Sequence, residues 1–396
     1  MNGLRIAMVG TRGVPAHYGG FETAIEEIGQ RLCARGHKVT VYCRDLDGSA
    51  TRESTYLGMD LVYLPAMHKR ALETLSHTGL SVMHLLRHRP DAAIVFNAAN
   101  APYLPLFRAA GIPVATHVDG LEWKRAKWGR GGQRYYLSVE ALAVRWSDAL
   151  IADAVGIQNY YRDKFAAETV YLAYGAPILD NAPSHRLAEL GVEPRSYHLV
   201  VARFEPENHV DLIVEGYVRS QAKAPLIVVG SAPYSDEYTR LVHHLGDERV
   251  RFVGGVWDQE LLDQLYAHCL VYWHGHSVGG TNPSLLRAIG SAAATNAFDV
   301  DFNREVLSDS GRYFVGPDDV TALAEEAEVQ LPALRERGAL GQQLARRFDW
   351  DMVAAGYEQL CGDLVLAHQP ARALARPDRQ RSPKHALKRR NTVGAR

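Results

Sequence analysis

The chain has 396 residues, 47% of them apolar and 22% charged, enough for two soluble domains with cores of their own. With 44 basic against 45 acidic residues it has no bulk attraction to nucleic acid. Cys33, Cys43, Cys269 and Cys361 form no CxxC pair, which argues against a disulfide framework or a zinc site and fits reduced core thiols in the cytosol.

No run of about 18 apolar residues is present to span a membrane. Met1-Asn2-Gly3 leads straight into an apolar strand, so no secretory leader is expected. Residues 6–9 read as that strand and 10–20 as a loop. Residues 21–35 read as a helix with Phe21, Ile25, Ile28 and Leu32 on one face, and 38–42 as the next strand. This is a βαβ unit, the usual opening of a doubly wound domain. A nicotinamide dehydrogenase opens similarly, but with G-x-G-x-x-G directly after its first strand. Here the loop reads Gly10-Thr11-Arg12-Gly13-Val14-Pro15 and is too long for that turn.

Strands follow at 59–64 and 92–96, with a helix near 71–87 between them and a polar loop at 97–102 after them. The strand at 114–116 exits into His117-Val118-Asp119-Gly120-Leu121-Glu122-Trp123-Lys124-Arg125. An imidazole, two carboxylates, two cations and an indole thus crowd the carboxyl edge, where open α/β sheets place their sites. A helix at 135–146 leads to 149–153, the last strand expected of the first domain, and then to a short helix at 157–165.

Residues 169–176 read as the crossing into a second domain, and 177–194 as a polar connector. Strand 197–201, the loop Ala202-Arg203-Phe204-Glu205-Pro206-Glu207-Asn208 and a helix at 210–217 begin a second βαβ unit. Strands at 226–229 and 250–253 and a helix at 258–268 precede the most informative stretch. There the apolar strand 270–273 runs into His274-Gly275-His276-Ser277-Val278-Gly279-Gly280-Thr281-Asn282-Pro283, and Leu285, Leu286 and Ile289 are spaced like a buried helix face. Strand, glycine-rich loop and helix start present backbone N–H groups and the positive end of a helix dipole to a crevice, a place for phosphates. A bare Gly-Gly is more often a plain turn. Two His, a Ser, a Thr and an Asn on the same loop favour a site. A strand is expected at 292–296 and a final helix at 350–366.

The stretch from His274 resembles the donor-sugar segment of the family 4 retaining glycosyltransferases, and more closely a bacterial rhamnosyltransferase-like subgroup whose version runs close to HGHSVGGTNPSLLEAM. Gly10-Thr11-Arg12-Gly13, Tyr18-Gly19-Gly20-Phe21-Glu22-Thr23, the segment 118–125, Glu205-Pro206-Glu207-Asn208 and Asn303-Arg304-Glu305-Val306 are similar to that subgroup too. The resemblance covers roughly 1–366 and implies the GT-B fold, an α/β architecture of two facing doubly wound Rossmann-like domains. The acceptor-side domain would be 1–172 with a returning helix at 350–366, the donor domain 173–349, and the basic tail 367–396. The implied activity moves a sugar, rhamnose by the subgroup's label, from a nucleotide-sugar donor to a saccharide or lipid-linked acceptor with retention. Such enzymes work in cell-surface polysaccharide synthesis without metal or cofactor.

On the residues, the resemblance implies donor contacts at Arg12, Gly19, Gly20, Asn208, Gly279, Gly280, Thr281, Asn282, Arg287 and Glu305. Acceptor contacts would come from His117, Glu122, Trp123 and Lys124, and catalytic roles from Asp119 and Arg203. Asp119 and Glu122 would orient acceptor hydroxyls, Trp123 would stack on a sugar, and Lys124 with Arg125 would suit an anionic acceptor. A solvated helix face accounts for Lys124, Arg125 and Lys127 equally well.

Three positions depart from the wider family, the first being Gly279, which, as in the subgroup, is not the Glu that opens the family's E-x7-E pattern. Where a Lys accompanies Arg203 on the diphosphate, this chain has Asn208 or His209, as the subgroup does, with weaker charge compensation as the consequence. Where a Glu grips the donor ribose stands Arg287, which accepts no hydrogen bond and would instead meet a phosphate or a carboxylate such as Glu305. An active enzyme with altered donor binding, a weakened one and a non-catalytic binding homologue all fit. A sugar-nucleotide epimerase of the same fold is a further rival, and a dehydrogenase a distant one. From about 368 the tail is rich in Arg, Lys, Pro and Ala and is expected to be disordered. Lys384, Lys388, Arg389 and Arg390 suit the anionic inner face of a membrane, placing the chain in the cytoplasm or at that face. A solvated tail without a partner explains them equally.

Overall fold

A computed structural model describes residues 3–16, 19–45, 53–67, 72–118, 120–125, 128–230 and 236–374. The first half builds β1 (Arg5–Val9), β2 (Lys38–Asp45), β3 (Thr55–Tyr56), β4 (Met59–Pro65), β5 (Ala92–Phe96), β6 (Val114–His117), β7 (Ala149–Ala152) and β8 (Val170–Tyr171). They form one sheet in the order β3-β4-β2-β1-β5-β6-β7-β8. All pairs are parallel except β3 with β4. The second half builds β9 (His198–Val201), β10 (Leu226–Val229), β11 (Val250–Gly254), β12 (Val271–His274), β13 (Thr295–Phe298) and β14 (Gly311–Phe314), a parallel sheet ordered β11-β10-β9-β12-β13-β14.

Central strands such as β5 and β10 are apolar at every position and buried along their whole length. That is the pattern of a parallel sheet covered by helices on both faces. On one face of the first sheet Met8 and Ile94 meet Ile25, Ile28 and Leu32 of the helix Gly20–Ala34. On the other, Ala7 and Val95 meet Leu85, Phe107 and Val139. The first of these cores does not stop at the first sheet. It takes in Leu285, Leu286 and Ile289 of the helix Pro283–Gly290 and Tyr357, Leu360 and Cys361 of the last helix, Trp350–Leu374. Each such side chain contributes about 1.5–3 kcal/mol on burial, so this shared core fixes how the halves sit. Ion pairs seal the rim, Arg31 to Asp351 at 2.9 Å and Arg35 to Glu358 at 3.0 Å.

Several expectations need correction. The first sheet does not end at β7, because β8 adds to it in parallel, Ile151 opposite Val170. The strand expected at 292–296 begins three residues later. Ala292 takes a left-handed φ of 53° and the Ala293 N–H returns to the Ala288 carbonyl, so 292–294 close the preceding helix. The polar loop at 97–102 winds into a 3-10 helix, Ala98–Tyr103, capped by the Asn97 side chain, which accepts the Ala99 N–H. The final helix continues past 366 to Leu374, and the tail beyond it lies outside the described residues. Among the described residues no helix is long and apolar enough to cross a membrane.

Strand order reverses between β1 and β5 in the first sheet and between β9 and β12 in the second. Ligand crevices of open α/β sheets form at such points, and here the two face each other. The Thr281 hydroxyl donates to the Asp153 carbonyl at 2.6 Å. Side chains are excluded around this bond. A Cβ on Gly280 would lie 2.0 Å from Asp153 Oδ1, and one on Gly120 would lie 2.4 Å from the Gly279 carbonyl oxygen. Arg125 of the first half reaches Glu207 of the second at 3.2 Å.

Asp153 is buried here and its Oδ1 has no hydrogen-bond partner. Burial, reinforced by the charge of Glu305 and opposed by its own backbone N–H, raises its pKa to about 7. Between about pH 4 and pH 7 the unfolded chain has therefore released a proton that the folded protein keeps. Stability from this group is complete below pH 4 and is lost as pH rises through 7. Asp153→Asn should match wild type in thermal midpoint near pH 4 and exceed it at pH 8, the gap opening by up to about 1.4 kcal/mol per pH unit. Parallel melting curves across that range would show no gap if the carboxyl were ordinary.

Candidate active site

Between the two switch points lies a cleft of about 520 Å³. Its second-domain wall is the loop after β12. Asn282 caps the helix Pro283–Gly290, its Oδ1 accepting the Ser284 N–H at 3.0 Å, and Pro283 takes the first helical position, where a missing N–H costs nothing. With Thr281 tied to Asp153, the loop holds a helix N-terminus at the cleft, the geometry that binds anions. Arg203, at the exit of β9, lines the same wall. The Asn208 amide donates to the Arg203 carbonyl at 2.8 Å and so braces that loop from behind.

Two imidazoles follow β12. The rings of His274 and His276 stack with centroids 4.3 Å apart. His274 shares a hydrogen bond between Nδ1 and the Tyr272 hydroxyl at 3.1 Å, and burial holds its pKa down at about 3. His276 lines the cleft. Burial, then the charges of His274, Arg203, Arg125 and His209, keep it well below the ordinary histidine range. Both rings are therefore neutral at neutral pH.

The first-domain wall carries charge and aromatic surface. Arg44 donates to Glu73 at 2.7 Å and to the Thr74 hydroxyl at 2.9 Å, and Arg12 lies 3.5 Å from the same Glu73. The Arg12 N–H donates to Glu22 at 3.1 Å. Arg125 pairs with both Glu122 and Glu207. Beside Glu122, which accepts the Trp128 indole N–H at 3.4 Å, Trp128 and Tyr136 lie 5.1 Å apart. Tyr135 donates to the Ala99 carbonyl at 2.7 Å. Flat aromatic faces with carboxylate acceptors beside them match the C–H faces and hydroxyl rims of a sugar.

Of the residues expected from sequence, Arg12, Gly19, Gly20, Glu122, Arg203, Gly279, Gly280, Thr281 and Asn282 come together on this cleft. Others are placed elsewhere. His117 is packed among Phe21, Phe96 and Tyr174, with burial holding it at about 3. Trp123 donates to the Tyr160 hydroxyl at 3.3 Å, and Lys124 lies over the Trp123 ring at 5.6 Å. Glu305 accepts the Val155 N–H through both oxygens at 3.1 Å. Arg287 does not meet Glu305, as suggested from sequence. It pairs with Asp263 of the helix Gln259–His268. Asp119 lies outside the described residues.

Asp153, Trp128, Tyr135, Tyr136 and Arg44 line the cleft without having been expected there, and His276, given no role of its own although its loop was read as a site, lines it too. Asp153 had a readable signal, a carboxylate directly after the apolar run of β7. His276 stood in plain view two residues past β12. Tyr135 and Tyr136 had none, because the helix Arg130–Trp146 is aromatic on more than one face, and Trp128 precedes that helix in a polar stretch with no period. Among the described residues no three His, Cys, Asp or Glu side chains gather as a metal site.

The chain matches the glycosyl transferase 4-like domain over residues 19–175 and the glycosyl transferases group 1 domain over 187–331. Among solved structures it is similar to sucrose-phosphate synthase from Thermosynechococcus elongatus, at 19% identity and a TM-score of 0.78, covering 92% of this chain and 100% of that one. It is also similar to Anabaena HepE in complex with UDP-glucose, at 14% identity and 0.73, again over 92% and 100%. A curated relative, the GtfA subunit of the UDP-N-acetylglucosamine–peptide N-acetylglucosaminyltransferase of Streptococcus gordonii, is 28% identical over 125 residues. That is 30% of this chain and 24% of the relative's length. The two domain matches take in most of the chain, one on each side of the cleft, and with the facing sheets they make it a member of the glycosyltransferases of GT-B fold.

Proposed function

We propose that this protein transfers a sugar from a nucleotide-sugar donor, bound along the second-domain wall, to a saccharide acceptor on the first-domain wall. The observation that carries the reading is the cleft at the facing switch points, with Arg203 and a helix N-terminus on one side and aromatic rings with carboxylates on the other. Anabaena HepE bound to UDP-glucose and an E. coli trehalose-6-phosphate protein bound to UDP-2-fluoro glucose have the same fold, which supports a uridine donor. The resemblance at His274–Gly290 supports retention and membership of the rhamnosyltransferase-like subgroup. A role in cell-surface polysaccharide synthesis, with the basic tail touching an anionic membrane, extends that resemblance.

In the retaining reaction the C1–O bond to the diphosphate breaks and its electron pair goes to the phosphate oxygen. The acceptor oxygen bonds to C1 on the same face, and the acceptor's proton goes to the departing phosphate. Arg203 and the backbone N–H groups after Gly279 stabilise the charge that develops there. On the acceptor side Trp128 takes the stacking role that the sequence suggested for Trp123.

A second reading, a homologue that binds without turning over, is favoured by the Arg287–Asp263 ion pair. It leaves no carboxylate at position 287 to accept ribose hydroxyls.

Titration with UDP and UDP-glucose should raise the thermal midpoint of wild type, because a ligand of the folded state adds to its stability. Arg203→Ala should weaken UDP binding by about 1.5–3 kcal/mol, roughly ten- to a hundredfold, the worth of a hydrogen bond to a charged group. Unchanged binding in that variant would remove Arg203 from the site. The paired change Arg287→Glu with Asp263→Asn should bind and turn over donor at least as well as wild type. A marked loss would show that Arg287 serves the donor directly.

A further inference from the structure

The leaving diphosphate brings at least two negative charges into the cleft, and three of the arginines there already face carboxylates. Arg12 and Arg44 share Glu73, and Arg125 is held between Glu122 and Glu207. On the second-domain wall Asn208 is 1% exposed and turned to the Arg203 carbonyl. His209 is stacked on Phe298 at 4.1 Å with its Nε2 on the Ser277 hydroxyl at 3.0 Å. Beside Arg203 on that wall stands one further polar ring, His276.

One contact fixes that ring and two fix the backbone that carries it. The ring stacks on His274 with planes 13° apart. Its backbone carbonyl accepts the Asn303 amide at 3.0 Å, and the next residue's N–H donates to the Glu207 carbonyl at 2.9 Å. Nδ1 is buried with no hydrogen-bond partner. Nε2 is the ring nitrogen that remains for the cleft. A neutral ring carrying its proton on Nε2 presents one preorganised donor where charge develops, without the desolvation cost of a second cation.

We propose that His276 donates a hydrogen bond from Nε2 to the oxygen of the departing phosphate, completing with Arg203 the stabilisation of the leaving group. The inference rests on the donor reading above. No proton is transferred from the ring. The C1–O pair goes to phosphate, the acceptor's proton goes to phosphate, and His276 keeps its own. The neutral state imposed by burial and by the neighbouring cations suits a donor of this kind and argues against a general base.

The test compares UDP and UMP binding by calorimetry in wild type, His276→Phe and His276→Gln. Phe keeps the stacking surface and removes the donor, whereas Gln keeps an N–H. His276→Phe should lose about tenfold in affinity for UDP with little change for UMP, and His276→Gln should recover much of the loss. Melting each variant without ligand identifies one that fails to fold, and the comparison then rests on the other. Wild-type-like UDP binding in the folded variants would overturn the inference and leave the donor reading intact. A wild type that binds neither nucleotide would overturn the uridine-donor reading and this inference with it.

Discussion

The hydroxyl of Thr281 on the Asp153 carbonyl, at 2.6 Å, marks the constraint on which the rest of the structure depends: two sheets must meet at their carboxyl edges with almost no side chain between them. Gly120 faces Gly279, and Gly280 faces Asp153. Any Cβ at those contacts would hold the halves apart and widen the cleft. The shared core beneath, from Ile25 and Ile28 through Leu286 and Ile289 to Tyr357 and Leu360, supplies the apolar burial that holds the edges in place. The local junction can therefore hold a strained element, a buried carboxyl with an unsatisfied oxygen, which a packed core supports.

Charge follows from the same geometry. Backbone brought this close offers N–H groups and a helix end instead of cations. On the first-domain wall Arg12, Arg44 and Arg125 meanwhile face carboxylates, Glu73, Glu122 and Glu207. A diphosphate entering here meets oriented dipoles, Arg203 and a neutral imidazole more than a concentrated positive field. Oriented dipoles in a partly dry site need no reorganisation when the leaving group departs. The arginine–carboxylate pairs on the opposite wall hold their side chains in fixed positions around the aromatic surface.

Much of this was readable from the sequence where a residue's role depends on its immediate neighbours. Strands β5 and β10 were legible because each is an unbroken apolar run, and the loop after β12 because glycines and polar residues crowd it. Illegible parts depend on packing at a distance. β8 has two residues, both exposed, and shows no period. Trp123 and Trp128 stand five positions apart in one polar stretch. A 3-10 turn at Glu122–Lys124 and the hydroxyl of Tyr160 decide that Trp123 leaves the cleft, and neither is a property of the stretch itself. His117, expected to contact the acceptor, is claimed by three aromatic rings from other elements.

Arg287 shows the same lesson with the sign reversed. Taken alone it is a cation where an acceptor of ribose hydroxyls is expected. In the fold it pairs with Asp263, 24 residues earlier on the neighbouring helix, and the two side chains are only 20% and 23% exposed. A carboxylate at 287 would stand beside that aspartate, half-desolvated and of like charge, a placement that raises pKa values and costs stability. The two positions therefore form one unit. With Asp263 present, an arginine is the residue that satisfies position 287, and restoring a glutamate alone would exchange a satisfied ion pair for a repulsive one. Position 287 reports first on the packing between these two helices and only through it on the donor. The pair Asp263–Arg287, not the single residue, is thus the unit by which this cleft differs from one built on glutamate.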